Sequence, residues 1–324
     1  MKMNKLNKEN KKITVTSLFS GAGGLDLGFL QAGFDIIWAN DIDKDACATY
    51  ARNIGNHIIC EDIKNIIVNE IPNSNIVIGG FPCQGFSVAN LRRSIDDERN
   101  QLYKFFYSVI DQKKPDFFVA ENVKGILNLG HGSVINQIEF DFQKAGYITS
   151  INLVNMADYG VPQTRQRVII LGQRKDIGKQ MLINIPRKTN SKTPDKDGLL
   201  EWVSIKKAIE KFPDPDLPNT VANHIYSTYK VEYRNFTGHR KTDPDKPSPT
   251  ILARGNGGGG VCAIPHYNGK RRLTIRESAT IQTFPDDFIF IGTMNSCYRQ
   301  IGNAVPVHFA YLLAQQFMDL WKKI

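Results

Sequence analysis

Short β-branched and aromatic runs alternate with longer stretches of helical periodicity from Ile13 to about Arg174. The runs Ile13–Phe19, Ile36–Asn40, Ile58–Cys60, Ile76–Ile78, Phe117–Ala120 and Val168–Leu171 predict strands. Between them Leu25–Ala32, Lys44–Asn53 and Leu102–Asp111 set apolar residues at helical spacing with no internal proline, predicting crossover helices. Such alternation predicts an α/β fold: a doubly wound, Rossmann-like parallel sheet with helices on both faces. Beyond Arg174 the periodicity is lost. Prolines at 186, 194, 213, 215, 218, 244, 247 and 249 break the chain, and Gly257 to Gly260 form an uninterrupted run, predicting a second, smaller and irregular lobe. A disordered linker is the alternative, but Trp202, Tyr226, Tyr229, Tyr233 and Phe236 are more aromatic surface than such a linker carries. The pattern returns near Arg271 and closes on an apolar helix, Val307–Trp321, expected to pack back on the first lobe. The expected division is a disordered basic arm (1–12), a catalytic and cofactor-binding lobe (13–174), the irregular lobe (175–270) and a return segment completing the first lobe (271–324).

Composition narrows the picture a little. At 324 residues the chain is long enough for one large domain, or for a large domain with a smaller partner. Lysine and arginine outnumber aspartate and glutamate by 41 to 32, giving a formal charge of +9 that favours a polyanionic partner or serves only solubility. Residues Met1 to Lys12 are polar and lysine-rich with no apolar stretch, so a cytoplasmic protein with no membrane span is expected. The cysteines at 47, 60, 83, 262 and 297 show no CxxC pair and no ligand spacing, so neither a disulfide framework nor a metal site is expected.

Candidate chemistry sits in the loops that follow the strands. Ser20-Gly21-Ala22-Gly23-Gly24 follows the first strand and opens a helix, where backbone N–H groups can receive an anion. The dinucleotide pattern GxGxxG fails, because Asp26 stands where the third glycine belongs. Asp41, ending the second strand, is placed for a ribose diol, and Asp62, after the third, for an adenine amino group. S-adenosylmethionine, with adenosine and a carboxylate but no phosphates, would satisfy all three places. The plainer reading is a tight turn and two helix-capping aspartates. Cys83 lies in Gly79-Gly80-Phe81-Pro82-Cys83-Gln84-Gly85-Phe86-Ser87, after the fourth strand, where a parallel α/β sheet puts active-site loops. A lone cysteine is usually a small buried hydrophobe, but these glycine, proline and polar neighbours argue against a core position.

Pro82-Cys83-Gln84 resembles the nucleophile motif of cytosine-5 DNA methyltransferases of the prokaryotic restriction-modification type, and further motifs appear in that family's order. Phe19 to Gly24 looks like its first motif, Glu121-Asn122-Val123 its Glu-Asn-Val motif, and Gln163-Thr164-Arg165-Gln166-Arg167 its Gln-x-Arg-x-Arg motif. Arg272-Leu273-Thr274 with Glu277, Gln282, Phe284 and Pro285 is similar to the ninth, and Gly302-Asn303-Ala304-Val305-Pro306 to the tenth. The resemblance spans Thr16 to roughly Val307, except the stretch between Arg174 and about Thr250. It implies an S-adenosylmethionine-dependent methyltransferase whose irregular lobe is a target-recognition domain. Cytosine C5 is too weak a nucleophile to take a methyl group unaided, so Cys83 would add to C6 and make C5 enamine-like. Glu121 would face N3 and the exocyclic amine, Arg165 the O2, and Arg167 would support the loop or a phosphate.

The resemblance further implies that Phe19, Ser20, Gly21, Ala22, Gly23, Gly24 and Leu25, then Asp41, Ile42, Asp62, Ile63 and Pro82, then Asn303 and Ala304 line the cofactor. Asp41 stands where many members have glutamate, a shorter reach to a ribose. Ala304 stands where others have serine, leaving backbone and shape. Duplex DNA is the implied partner, with the base rotated out of the stack. Ser87, Arg92, Arg93, Arg167, Arg240, Thr250 and Arg254 are the implied DNA contacts, with Arg234, His239 and Lys241 as further candidates. A monomer sharing its target with a cognate restriction endonuclease is expected. The rivals are a tRNA cytosine methyltransferase, a silent DNA-binding protein on this fold, from which loss of Cys83 or Glu121 would be expected, and, more remotely, a nicotinamide dehydrogenase.

Overall fold

The apolar runs assemble into one mixed sheet, and the alternation of their side chains decides which helices cover each face. The computed structural model describes residues 12–82, 101–177, 183–233, 239–253 and 264–322. The large lobe opens with β1 (Thr14–Leu18), α1 (Gly24–Gln31), β2 (Asp35–Asp41), α2 (Lys44–Asn53), β3 (Ile58–Cys60) and β4 (Ile76–Gly79). It continues through α3 (Gln101–Lys113), β5 (Phe117–Val123), α4 (Ser133–Lys144), β6 (Tyr147–Asn155), β7 (Gln163–Thr164) and β8 (Gln166–Arg174). Among the described residues the sheet has seven strands in the order β3-β2-β1-β4-β5-β8-β6. β1 to β5 run parallel, but β8 is antiparallel to both β5 and β6, which corrects the expectation of a wholly parallel sheet. The connection from β6 to β8 carries no crossover helix, so the chain can only return antiparallel. α4 and β6 were absent from the sequence reading. β6 is an edge strand with mostly half-buried positions, and its polar Thr149, Ser150 and Asn152 break the apolar run.

Period-2 alternation sorts the strand residues between two cores. Val15, Ile76, Ile78, Phe117, Val119, Ile169 and Leu171 face one side, where α1 brings Leu25 and Phe29. The closing helix α9 (Val307–Trp321) covers the same side with Phe309, Leu313 and Phe317, as its apolar pattern predicted. Burying three such side chains is worth roughly 1.5–3 kcal/mol each. Leu18, Val77, Phe118, Ala120, Val168 and Ile170 face the other side, under α3 and α4.

The remaining elements are β9 (Asn190–Ser191), α5 (Pro194–Asp197), β10 (Leu200–Glu201), α6 (Ile205–Ile209), β11 (Ser248–Pro249), α7 (Ile275–Ile281) and α8 (Met294–Asn303). A third core joins Ile205, Ile209, Ile251 and Ile264 to Leu273, Ile275, Phe284, Phe288 and Ile301. The return segment is therefore shared: α9 packs on the large lobe, whereas α7 and α8 pack with the irregular one. Buried arginines hold this irregular backbone together. Arg272 donates to the carbonyls of Tyr229 (3.1 Å) and Lys230 (2.9 Å), and Arg276 to those of Ala222 (3.0 Å), Pro285 (2.9 Å) and Phe288 (2.5 Å). A chain without ladders leaves carbonyls unpaired, and a planar guanidinium supplies the missing donors. No helix among the described residues is long and apolar enough to cross a membrane.

Candidate active site

Where β1, β2, β4 and β5 end, the following loops enclose a cavity of about 810 Å³. Its first wall is the glycine-rich turn. Phe19 enters it with a positive φ of 56°, a conformation that strains a non-glycine residue. Gly23 is the left-handed N-cap of α1 (φ 86°), where a Cβ would strike Tyr50 and Ile54. Phe19, Ser20, Gly21, Gly24 and Leu25 line the cavity. Ala22 and Gly23 do not: Ala22 is buried in the third core, and Gly23 serves the turn. A Cβ on Gly21 would meet no atom within 4 Å, so the loop leaves that space open.

The second wall carries Asp41, Ile42, Asp62 and Ile63. Asp41 Oδ2 accepts the Gly21 N–H (2.8 Å) and Oδ1 accepts the Asp43 N–H (2.8 Å), so this carboxylate braces the glycine loop against the start of α2. Burial raises its pKa above the ordinary carboxylate value, against the pull of those N–H groups. Asp62 does what the plainer reading allowed: it caps the short turn Ile63–Asn65, accepting the Lys64 N–H at 3.0 Å. Asn40 sends its amide to the carbonyls of Ile59 and Glu61 (2.9 Å each), which ties the Asp62 turn to β2.

Three further residues belong to this wall that the sequence reading did not single out as site residues. Asp43 caps α2 and forms an ion pair at 2.7 Å with Arg299 of α8, 256 positions away. The helix that ends at the cavity-lining Asn303 and Ala304 is thereby clamped to the Asp41 turn. Asp26, in the first turn of α1, is fully buried and accepts the Tyr50 hydroxyl at 2.9 Å. A carboxylate set among Leu25, Leu27, Gly28 and Phe29 was the only local hint of it.

The third wall is built from the ends of β4, β5 and β8. Asn122 donates to the Phe81 carbonyl at 2.9 Å, fixing the loop after β4 up to Pro82, which lines the cavity. Cys83 itself lies outside the described residues. Glu121 also lines the cavity, and Arg167 Nε stands 2.9 Å from its Oε1. Sheet register explains this meeting. Glu121 opposes Ile169 and Val123 opposes Arg167 on antiparallel strands, so Glu121 and Arg167 are diagonal neighbours on one face. Arg165 was expected at the base and Arg167 in support; both line the cavity, and it is Arg167 that stands beside Glu121. Arg165 lines the cavity but is buried: Nη1 donates to the Ile251 carbonyl (3.1 Å) and Nη2 to those of Gly302 (2.9 Å) and Ala304 (3.1 Å), while Nε has no partner among the described residues. Arg165 falls between β7, which pairs with β11, and β8, which pairs with β5 and β6, so strand alternation does not hold it on the face of Arg167. Burial pushes its pKa down to about 9, helped by neighbouring Arg167 and opposed by Glu121.

Of the DNA-contact candidates, Ser87, Arg92, Arg93, Arg234 and Arg254 lie outside the described residues. Arg240 and Lys241 are exposed on the irregular lobe, and His239 is buried. Thr250 donates its hydroxyl to the Thr164 carbonyl at 2.8 Å, beside the cavity-lining Ile251, Leu252 and Ala253.

Residues 13–319 match the family model of C-5 cytosine-specific DNA methylases. The chain is 39% identical to the Type II methyltransferase M.NgoFVII of Neisseria gonorrhoeae, with 98% of this chain and 91% of that protein covered. It is 37% identical to M.BsuRI of Bacillus subtilis, covering 96% and 80% respectively. The fold superposes on a DNA modification methyltransferase encoded within an E. coli prophage with a TM-score of 0.74 at 26% identity, over 96% of this chain and 100% of that one. Against the S. pombe Dnmt2 methyltransferase the TM-score is 0.71 at 20% identity, over 95% and 99%, a likeness of fold alone.

Proposed function

This chain belongs to the C-5 cytosine-specific DNA methylase family and is a DNA cytosine-5-methyltransferase; from that premise we propose that it works through Cys83 on a cytosine rotated out of duplex DNA, with S-adenosylmethionine as methyl donor. The observation that carries the reading is the Glu121–Arg167 pair at 2.9 Å on the wall shared with Pro82, the covalent neighbour of Cys83. A thiolate at Cys83 adds to C6. Glu121 holds the proton at N3 that relieves the charge built up in the ring, and Arg167 fixes Glu121 while presenting N–H donors toward O2. C5 thereby becomes enamine-like. Once C5 carries the transferred methyl group, loss of H5 and departure of Cys83 restore the aromatic ring.

The cavity suits the cofactor. Its volume of about 810 Å³ falls in the range that holds a ligand of this size. The open space at Gly21, the apolar Ile42 and Ile63, and the carboxylates of Asp41 and Asp62 suit an adenosine without phosphates, while Asn303 and Ala304 suit its amino-acid end. Clustered Asp41, Asp43 and Asp62 would repel a pyrophosphate, which disfavours a dinucleotide. When bound, S-adenosylmethionine supplies an electrophilic methyl group.

Residues 175–270 are the proposed target-recognition region, with Arg240 and Thr250 toward DNA. The relatives named Type II methyltransferases support a role beside a restriction endonuclease in the cytoplasm. Duplex DNA carrying 5-fluorocytosine, which cannot lose its C5 substituent, should trap a denaturation-resistant complex in the presence of S-adenosylmethionine, and Cys83→Ala should abolish it. A trap that survives the substitution, or one formed with tRNA and not with DNA, overturns the reading.

A further inference from the structure

Behind the catalytic wall lies a closed ring of hydrogen bonds between fully buried side chains. Gln163 Oε1 accepts the Ile251 N–H at 2.9 Å, and Gln163 Nε2 donates to Gln282 Oε1 at 2.9 Å. Gln282 Nε2 donates to the carbonyls of Ile301 (2.7 Å) and Ala304 (3.1 Å). Arg165 closes the circuit by donating to Ala304 and Ile251. Both backbone polar groups of Ile251 are thus gripped, and the Ala304 carbonyl is gripped twice. Gln163 and Gln282 are 0% exposed and Arg165 1%.

Two chain segments are locked together by this ring. One, residues 302–305, lines the cavity where the cofactor is proposed to bind; the other, residues 250–253, carries Thr250 and lines the cavity from the irregular lobe. They touch directly, since a Cβ on Gly302 would overlap the Leu252 carbonyl. Both are tied to the strand pair that leads into Arg167. Apolar residues would fill the same space, and a buried arginine with no carboxylate at hydrogen-bond distance is a weak way to gain stability. Directional bonds provide something packing does not, a fixed register between separate segments.

We propose that Gln163, Gln282 and Arg165 are positioning residues: their ring holds the cofactor wall and the Thr250 segment at the one spacing in which a methyl donor lines up with the base held by Glu121. The inference rests on the proposed function, and it concerns alignment, not affinity. Methyl transfer demands near-attack geometry, and a misplacement of about 1 Å costs on the order of a hundredfold in rate. Exchange of H5 with solvent needs only Cys83 addition and protonation at C5, with no donor to align.

The test uses the full chain with Gln282→Met and, as the milder change should that fail to fold, Gln163→Met, which leaves the Gln282 and Arg165 bonds to Ala304 in place. Active sites are titrated with 5-fluorocytosine DNA, and single-turnover methyl transfer is compared with tritium release from C5 in the absence of cofactor. Methyl transfer per active site should fall roughly 10- to 100-fold, while tritium release and the Kd of S-adenosylhomocysteine stay within about threefold. Equal loss in both reactions, or no loss in either, overturns the positioning role. A wild-type chain that neither methylates nor exchanges would instead overturn the proposed function.

Discussion

Replacing Asp26 with asparagine should abolish a distinct pH dependence of stability. Asp26 is 0% exposed. Its Oδ1 accepts from Tyr50, whose hydroxyl also meets His57 Nε2 at 3.0 Å, and its Oδ2 has no hydrogen-bond partner among the described residues. Burial raises the carboxyl from 3.8 to about 6; the hydroxyls of Ser17 and Tyr50 oppose the rise, and nearby Asp41 adds to it. The folded protein therefore binds this proton more tightly than the unfolded chain does. Between pH 3.8 and about 6 the native state holds more protons, so stability falls as pH rises through that window and levels off above it. The full difference is about 3 kcal/mol, at about 1.4 kcal/mol per pH unit. The asparagine side chain cannot ionise, and its carbonyl still accepts from Tyr50. Urea unfolding of both proteins at several pH values from about 3 to 7 reads the effect, with His57 titrating in each and largely cancelling. Asp26→Asn should gain on the wild type by about 3 kcal/mol from the acid end to neutrality. Stability curves that run parallel across the window would refute the reasoning, because no ionised carboxylate would then be held in the core.

Arg167→Lys keeps the charge but removes the guanidinium whose Nε stands 2.9 Å from Glu121, so single-turnover methyl transfer should drop on the order of 10- to 100-fold with DNA affinity changed less than about threefold. A rate within twofold of the wild type would count against Arg167 as the base-side arginine. Exchanging residues 175–270 for the matching region of a relative with a different target should move the methylated site, read by bisulfite sequencing, while binding to any duplex still weakens steeply with salt. An active chimera that keeps the original site would place recognition elsewhere in the chain.

Where the chain's own pattern is local, the reading and the fold agree. Strand runs at Thr14–Leu18, Ile76–Gly79 and Phe117–Val123, the turn at Gly23 and the closing helix Val307–Trp321 follow from side-chain alternation, glycine geometry and apolar periodicity within a few residues of one another. Helix α7, which the sequence reading did not single out, opens on a reciprocal capping box between Thr274 and Glu277. β6 escaped because an edge strand needs no continuous apolar run.

The sequence by itself determined that a glycine loop, two strand-end acids, a proline-flanked cysteine and a glutamate would follow successive strands, since loop position in a parallel sheet is dictated by chain order. Only the tertiary structure decided what each group faces. Arg165 and Arg167 are two residues apart and chemically identical, yet one is buried against three carbonyls and the other meets Glu121. Arg165 falls in the gap between β7 and β8 whereas Arg167 lies within β8, and the carbonyls that claim Arg165 lie as far as 139 positions along the chain. The same holds for Asp43 with Arg299 and for Gln163 with Gln282. Hydrogen bonds and ion pairs act over about 3 Å of space, and no local pattern records which distant segments the sheet and the third core bring within that reach.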